Sequence, residues 1–508
     1  MGYRRLLPPA HKWLLVALLW RQVIYKDSVN PLPSKKKTSR QERNVEKIWL
    51  KNYPPGVSAE IDPDTFSSVK ELIEESCKKY SSQPAFTNMG REMSFGELEQ
   101  KSRYFAAYLQ KVAGLEKGDR IALMMPNVLQ YPVGIAGALC AGFVVVNVNP
   151  LYTPRELKHQ LIDSGAKAIL IVENFAHTLE QVIGDTEIKT VITTQLGDML
   201  GFPKSALVNF VVKTVKKMVP AWNIPGSTTL KKALAEGKWQ TLDDVDLNHE
   251  NIAFLQYTGG TTGLSKGAVL THGNMIANVE QSRTWLGKKQ ASGNEIVITA
   301  LPLYHIFALT ANCLLFMRIG GNNILITNPR DFPGFVKELK KYRFTFISGV
   351  NTLFNALLHT PGFSDVDFSG LQVTLGGGMA VQEAVARHWK EVTGNTLVQA
   401  YGLTETSPAA CINPLAEGME FNGSIGLPIS STEASIRDDD GAEMAIGEVG
   451  EICIRGPQVM AGYWQQPEET DKVMIEGGWF RTGDMGRMDE RGYIFIEDRK
   501  KNMILVSG

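Results

Sequence analysis

Twelve consecutive residues carry the sharpest chemical signal in the chain: Tyr257-Thr258-Gly259-Gly260-Thr261-Thr262-Gly263-Leu264-Ser265-Lys266-Gly267-Ala268. Its four glycines permit positive φ and let backbone come close to a bulky anion. Thr258, Thr261 and Thr262 supply hydroxyl donors, and Lys266 supplies a positive charge. Such a loop suits the oxygens of a triphosphate; the alternative for any Gly/Thr stretch is a plain turn. It is not the ordinary phosphate loop, in which the lysine follows Gly and precedes Ser or Thr. Here Lys266 follows Ser265 and precedes Gly267. That spacing, and the lack of a kinase-type glycine loop, speak against a phosphoryl-transferring ATPase or kinase. Gly376-Gly377-Gly378-Met379-Ala380-Val381 lacks Gly or Ala at the last fingerprint position of a dinucleotide site, which speaks against an oxidoreductase.

A zinc enzyme finds no support. Cys77, Cys140, Cys313, Cys411 and Cys453 are scattered without a Cys-x-x-Cys pair, as expected of small buried hydrophobes in a reducing compartment. The eight histidines show no zinc-type spacing. With 53 basic and 53 acidic side chains the formal net charge is zero, so no nucleic-acid partner is implied.

A phosphate loop needs a scaffold, and the flanking sequence reads as one. Ile252-Ala253-Phe254-Leu255-Gln256, just before the loop, has the apolar character of a strand. Further strands are expected at Arg120–Met125, Phe143–Val148 and Ala168–Val172. Helices are expected from Val69 to Tyr80, after Ser94 with Glu97 as a capping box, through Ile135 to Cys140, and after Thr153-Pro154-Arg155-Glu156. Strand and helix in alternation imply an α/β fold, a mostly parallel sheet with helices on both faces. Beyond Gly441, alternation in Glu451–Arg455 and Tyr493–Glu497 implies a smaller antiparallel unit. A chain of 508 residues with 44% apolar and 21% charged residues is globular and too long for one simple core.

Two segments stand outside this pattern. Residues 1–44 form an N-terminal extension with an apolar run from Trp13 to Trp20, shorter than a membrane-spanning helix requires. It reads as a peripheral anchor, a tail, or upstream sequence included by an early start codon. Between Lys204 and Val219 most apolar residues share one helical face, with Asn209, Lys213, Lys216 and Lys217 on the other. A surface helix packed on its own core and a helix lying on an anionic membrane both fit.

The loop resembles the phosphate-binding signature of the adenylate-forming superfamily, which includes acyl-CoA synthetases, luciferases and peptide-synthetase adenylation domains. Tyr401-Gly402-Leu403-Thr404-Glu405, Trp479-Phe480-Arg481-Thr482-Gly483-Asp484 and Asp498-Arg499-Lys500-Lys501 resemble its later motifs, in the same order. From about Val45 the chain is similar to bacterial long-chain fatty-acid CoA ligases, including Asn149-Pro150-Leu151-Tyr152-Thr153-Pro154 and Pro302-Leu303-Tyr304-His305-Ile306-Phe307. The resemblance implies a large domain over 45–497: two α/β subdomains with mostly parallel sheets flanked by helices, and a β subdomain from about 420. A hinge segment at 498–508, with Lys501 at the hinge position, would follow. It implies ATP and Mg²⁺, with CoA as co-substrate, and a cytoplasmic protein. Peripheral contact with the inner face of the membrane and a homodimer are both compatible with it.

By the same resemblance Tyr401 would lie against adenine, with Gly376, Gly377, Gly378 and Gly402 close to the nucleotide. Thr404 would donate to phosphate, and Glu405 would help to hold Mg²⁺, which takes few protein carboxylates beside substrate phosphates. Asp484 and Arg499 would contact the ribose. Lys266, His305, Thr404 and Glu405 are the candidate catalytic residues; His305, Phe307, Gly349 and Val350 would border the acyl group. No charged residue occurs between His305 and Arg318, which weakens an amino-acid substrate with its ammonium group. In the family a C-terminal domain follows the hinge and supplies a lysine that promotes adenylation. That domain would lie beyond Gly508, so the 508-residue chain is expected to bind ATP and acyl-adenylate but to adenylate poorly.

Overall fold

A computed structural model describes residues 47–258, 264–289, 294–416 and 418–499. The N-terminal extension, the loop core Gly259–Gly263 and the hinge from Lys500, with Lys501, lie outside the described residues, as does the Arg499 side chain.

Helix starts follow local chemistry. Thr153 and Glu156 close a full capping box on helix Pro154–Ser164: Thr153 Oγ1 accepts from Glu156 N at 3.4 Å, and Glu156 Oε2 accepts from Thr153 N at 2.8 Å. Ser94 caps helix Phe95–Lys111, but only half of the expected box forms. The Glu97 carboxylate accepts two bonds from Arg91 instead, at 2.9 and 2.7 Å. A guanidinium fork outcompetes a backbone N–H for the same oxygens. Helix Gln130–Cys140 starts earlier than its apolar run suggested and is buried along its whole length.

Two large sheets dominate. One has eight strands, with Ile252–Thr258, Val144–Asn147, Arg120–Met124, Ala168–Val172, Thr190–Thr194 and Thr228–Thr229 side by side and parallel. Lys266–Thr271 pairs antiparallel with Ile252–Thr258, so the glycine loop joins the two strands of a hairpin. Gly462–Tyr463 then adds to its outer edge, placing Tyr463 opposite Ala268. The other sheet has nine strands; its parallel part runs from Leu397–Gly402 through Val373–Gly376, Phe346–Gly349, Ile296–Thr299 and Asn322–Leu325 to Pro84–Asn88. The parallel strands are mostly buried and apolar, as a sheet covered on both faces requires.

A five-stranded antiparallel sheet of Glu433–Arg437, Gly450–Arg455, Met474–Ile475, Trp479–Met488 and Ile494–Arg499 follows, in keeping with the alternation beyond Gly441. Helix His272–Leu286 ties this region to the larger sheets, its Asn274 Nδ2 donating to Pro457 O at 2.8 Å and Val459 O at 2.9 Å. All five cysteines are buried, and none forms a disulfide. The Lys204–Val219 segment does not pack an apolar stripe on its own core: Asn209 faces inward, and several large apolar side chains face solvent.

Candidate active site

The chain reverses course at the carboxyl ends of parallel strands, and in open α/β sheets ligand crevices form there. Here the ends of strands from both large sheets open into one cleft of about 1610 Å³. Its lining includes Tyr257, Thr258, Leu264, Lys266, His305, Phe307, Gly377, Gly378, Tyr401, Gly402, Thr404, Glu405 and Asp484. Residues far apart in sequence therefore meet in one cleft.

Three internal contacts organise the polar wall. Tyr401 O–H donates to Asp484 Oδ2 at 2.8 Å, both groups being buried, and burial raises the Tyr401 phenol well above its ordinary value. Tyr463 O–H donates to Glu405 Oε1 at 2.7 Å. Burial pushes the Glu405 carboxyl up, and that hydrogen bond is the largest influence holding it down. Lys266 pairs with Glu469 of helix Pro467–Val473 and stands 5.0 Å from the centre of the Tyr463 ring. Hydrogen bonds from Lys266 and Lys472 bring Glu469 down to about 2. Tyr463 thus stands between the two candidate catalytic groups that the hairpin and the Leu397–Gly402 strand deliver.

Behind this wall, Tyr257 O–H donates to Asp163 Oδ2 at 2.6 Å, and Trp464 Nε1 donates to the Asp163 carbonyl at 3.1 Å. Burial is the main reason the Tyr257 phenol is raised. His159 Nε2 lies 2.9 Å from the Ser265 carbonyl. Two glycines sit where a side chain would crowd its neighbours, Gly402 much more severely than Gly377. A Cβ on Gly402 would lie 1.9 Å from the Pro408 carbonyl oxygen, and one on Gly377 would lie 3.0 Å from the Phe307 ring.

That second contact joins the nucleotide motif to the acyl segment. His305 caps the short helix Ile306–Ala308, its Nδ1 accepting from Phe307 N at 3.3 Å. In the neutral ring the proton then resides on Nε2. His305 is reached by solvent from the cleft, yet enough protein surrounds it to lower its pKa by desolvation. A π-helix over Leu309–Leu314 follows, a form often found at functional sites. The lining contributed by His272–Leu286, Ile306–Leu315, Phe346, Val373, Leu375, Ile412, Leu415 and Ile425 contains no charged residue.

Not every expected residue reaches the cleft surface. Gly349 and Val350 sit one layer back: Gly377 N donates to the Gly349 carbonyl at 3.1 Å, and Val350 backs Gly378. Gly376 packs against Leu397 and Val381, and Gly267 lies beside the Tyr257 ring. Ala268 belongs to the hydrophobic core because alternation along the hairpin strand turns it inward. Tyr463, Glu469 and Asp163 were not anticipated. Gly462-Tyr463-Trp464 shortly before an acidic helix start is the local signal, but their partners are set by strand pairing across distant segments.

The buried carboxylate of Glu405 suits a cation that arrives with phosphate oxygens and keeps most of its other ligands. Among the described residues there is no group of three or more His, Cys, Asp or Glu placed to hold a metal alone.

A cleft with a lysine-and-carboxylate wall and an uncharged apolar wall defines an α/β enzyme suited to an anionic and a hydrophobic ligand together. Residues 73–464 match the family model of the AMP-binding enzymes, and the chain belongs to that family. It is 56% identical over 465 residues to a long-chain-fatty-acid–CoA ligase of Salmonella typhimurium, covering 91% of this chain and 82% of that protein. Against the Haemophilus influenzae ligase of the same name, identity is 52% over 467 residues, 91% of this chain and 83% of that one. A crystal structure of a long-chain-fatty-acid-CoA ligase from Archaeoglobus fulgidus shares the fold, with a TM-score of 0.72 at 24% identity over 88% of this chain and 86% of the other.

Proposed function

We propose that this protein is an ATP-dependent ligase that joins a long-chain fatty acid to CoA through an acyl-adenylate. The observation that carries this reading is the meeting of two unlike walls in one cleft: Lys266, Glu405 and Asp484 on one, an uncharged apolar lining on the other.

A carboxylate does not accept a thiol directly. Its oxygen attacks the α-phosphorus of ATP, the bond to the pyrophosphate leaving group breaks, and a mixed anhydride with AMP remains. The CoA thiol then attacks the acyl carbon, and AMP leaves with the bonding electron pair. Positioning and charge neutralisation do most of the work in the first step. Lys266 neutralises phosphate once Glu469 releases it, with Thr258, Thr261, Thr262 and Ser265 as hydroxyl donors and Gly259, Gly260 and Gly263 giving close backbone approach. Thr404 donates to phosphate beside Gly402. Asp484 and Arg499 hold the ribose, and Tyr401, kept in place by Asp484, faces the base beside Gly376, Gly377 and Gly378. Mg²⁺, when bound, supplies further neutralisation of the phosphates, and Glu405 is the residue that would hold it. His305 with its Nε2–H, and Phe307 over Gly377, border the fatty carboxylate; Gly349 and Val350 support them. Lys501 is the pivot of the hinge. CoA and the fatty acid are the partners of this cycle in the cytoplasm, with peripheral contact at the inner face of the membrane.

Incubation of the protein with α-labelled ATP, CoA and saturated acids of graded length tests the reading. Label is expected to appear in AMP, at a low rate, with pyrophosphate released and yield rising toward long chains. Label in ADP, or a preference for short polar acids, would overturn it.

A further inference from the structure

One helix holds both strands of the phosphate hairpin. Helix Pro154–Ser164 is itself fastened at each end. Its capping box closes the first turn. At the last turn Arg120 Nε donates to the Ser164 carbonyl and Nη2 to the Gly165 carbonyl, each at 2.9 Å. Carbonyls at a helix end have no partner within the helix, so these bonds fix where it stops. His159 and Asp163 are four residues apart and share one face. That face meets the incoming strand where Asp163 Oδ2 accepts from the Tyr257 phenol at 2.6 Å. It meets the outgoing strand where His159 Nε2 stands 2.9 Å from the Ser265 carbonyl. A carbonyl oxygen only accepts, so this ring nitrogen carries a proton and donates. Trp464 adds a third hold. Its backbone N donates to the Gly267 carbonyl at 2.7 Å and its Nε1 to the Asp163 carbonyl at 3.1 Å.

We infer that His159 and Asp163 are positioning residues: they clamp the two stems of the hairpin and so fix the place from which Lys266 meets a triphosphate. The identity of that ligand rests on the ligase reading; the clamp itself does not. Ser265 and Lys266 share a planar peptide group, so the bond to the Ser265 carbonyl sets the plane from which the lysine side chain departs. Tyr257 pairs with Gly267, and Thr258 with Lys266. Holding Tyr257 and the Gly267 carbonyl therefore secures the register one pair below the lysine. A stem left free would have to be ordered by the ligand, and that ordering would be subtracted from affinity. Both residues border the cleft, but the atoms named here are turned to the hairpin. They act through Lys266.

Two pairs of variants of the full chain test the clamp. His159→Leu and Asp163→Ala remove the holds. His159→Gln keeps an Nε2 donor for the Ser265 carbonyl, and Asp163→Asn keeps an acceptor for Tyr257. Both residues are half-buried, so the fold is expected to tolerate all four. Amide hydrogen exchange without ligand is the first readout. Peptides covering Leu264–Thr271 are expected to exchange about tenfold faster in the two disruptive variants, while those covering Ala168–Val172 match the wild type. Steady-state kinetics is the second. The KM for ATP is expected to rise about tenfold in the disruptive variants, with kcat and the KM for fatty acid unchanged. Wild-type behaviour is expected of both conservative variants in both readouts. Because the exchange measurement uses neither ATP nor turnover, failure of the clamp is separable from failure of the ligase reading. Unchanged exchange in His159→Leu and Asp163→Ala would overturn the inference, whatever the protein turns over. So would faster exchange throughout the chain, which would make the pair a general support of the fold. A loss in the conservative variants as large as in the disruptive ones would also overturn it, by making the two side chains direct ligands of substrate or cation.

Discussion

The two walls of the cleft differ in how they stand before any ligand arrives. On the polar wall three candidate groups already have protein partners: Tyr401 with Asp484, Glu405 with Tyr463, Lys266 with Glu469. On the apolar wall Phe307, Ala311, Leu315, Trp285 and Leu415 bound space without contributing charge. Binding on the first wall is therefore an exchange of partners, with modest net gain per hydrogen bond. Binding on the second is removal of apolar surface from water, with gain that accumulates along the ligand. The polar wall is suited to setting chemistry and the apolar wall to setting substrate size.

The sharpest break in that division would come from Glu405. Glu405→Gln keeps the shape and an acceptor for Tyr463 but removes the charge. AMP formation is expected to fall on the order of a hundredfold in kcat, as when a preorganised electrostatic group is lost, with fatty-acid affinity in the absence of ATP unchanged. Isothermal titration beside steady-state kinetics checks both parts. Stability should move the other way. Because burial raises the Glu405 pKa, its charge destabilises the ligand-free fold increasingly as pH rises from the ordinary carboxylate range through the elevated value. Glu405→Gln is expected to melt higher than wild type at neutral pH, the difference vanishing in acid. A fatty-acid affinity that fell in step with kcat would show that the two walls are not separate.

A smaller effect is expected on the apolar side. Ala311 lines the cleft from the π-helix Leu309–Leu314. Ala311→Phe fills space that a long chain would occupy. Each methylene denied burial is worth about 0.8 kcal/mol, roughly fourfold in kcat/KM. The longest acids are expected to lose several such factors while short acids and the KM for ATP hold steady. Uniform loss across chain lengths would place the acyl chain elsewhere.

The sequence revealed these walls unequally, for physical reasons. Helix caps such as Thr153 with Glu156, and buried strands such as Ala168–Val172, are decided within a few residues and can be read locally. So can the glycine loop and the runs around Tyr401 and Asp484, because their residue types are rare in that order. The partners were hidden. Tyr463 reaches Glu405 because a two-residue strand pairs with Lys266–Thr271, and no local pattern encodes that pairing. Asn209 was readable as polar but not as inward-facing, since Gly197 and Asp198 decide its direction. Glu97 was readable as a capping residue, but Arg91, at the start of the strand that leads into the helix, took it.

The finest test concerns the partner that Lys266 gives up. Glu469 and the triphosphate would compete for one ammonium, so Glu469→Gln is expected to lower the KM for ATP a few-fold while leaving kcat and chain-length preference intact. The modest size follows from exposure, because an ion pair open to solvent contributes little. Its pH dependence is distinctive. Lys266 and Lys472 hold the Glu469 carboxyl at about 2, a depression whose stabilising effect is present above the ordinary carboxylate range and is lost only as pH falls toward that value. The ratio of wild-type to variant KM for ATP should therefore stay flat from about pH 6 to pH 8, where the carboxylate remains fully charged. A ratio that changed within this window would mean that a group other than Glu469 controls access to Lys266. An increase in KM would mean that Glu469 positions the lysine for phosphate and does not compete for it.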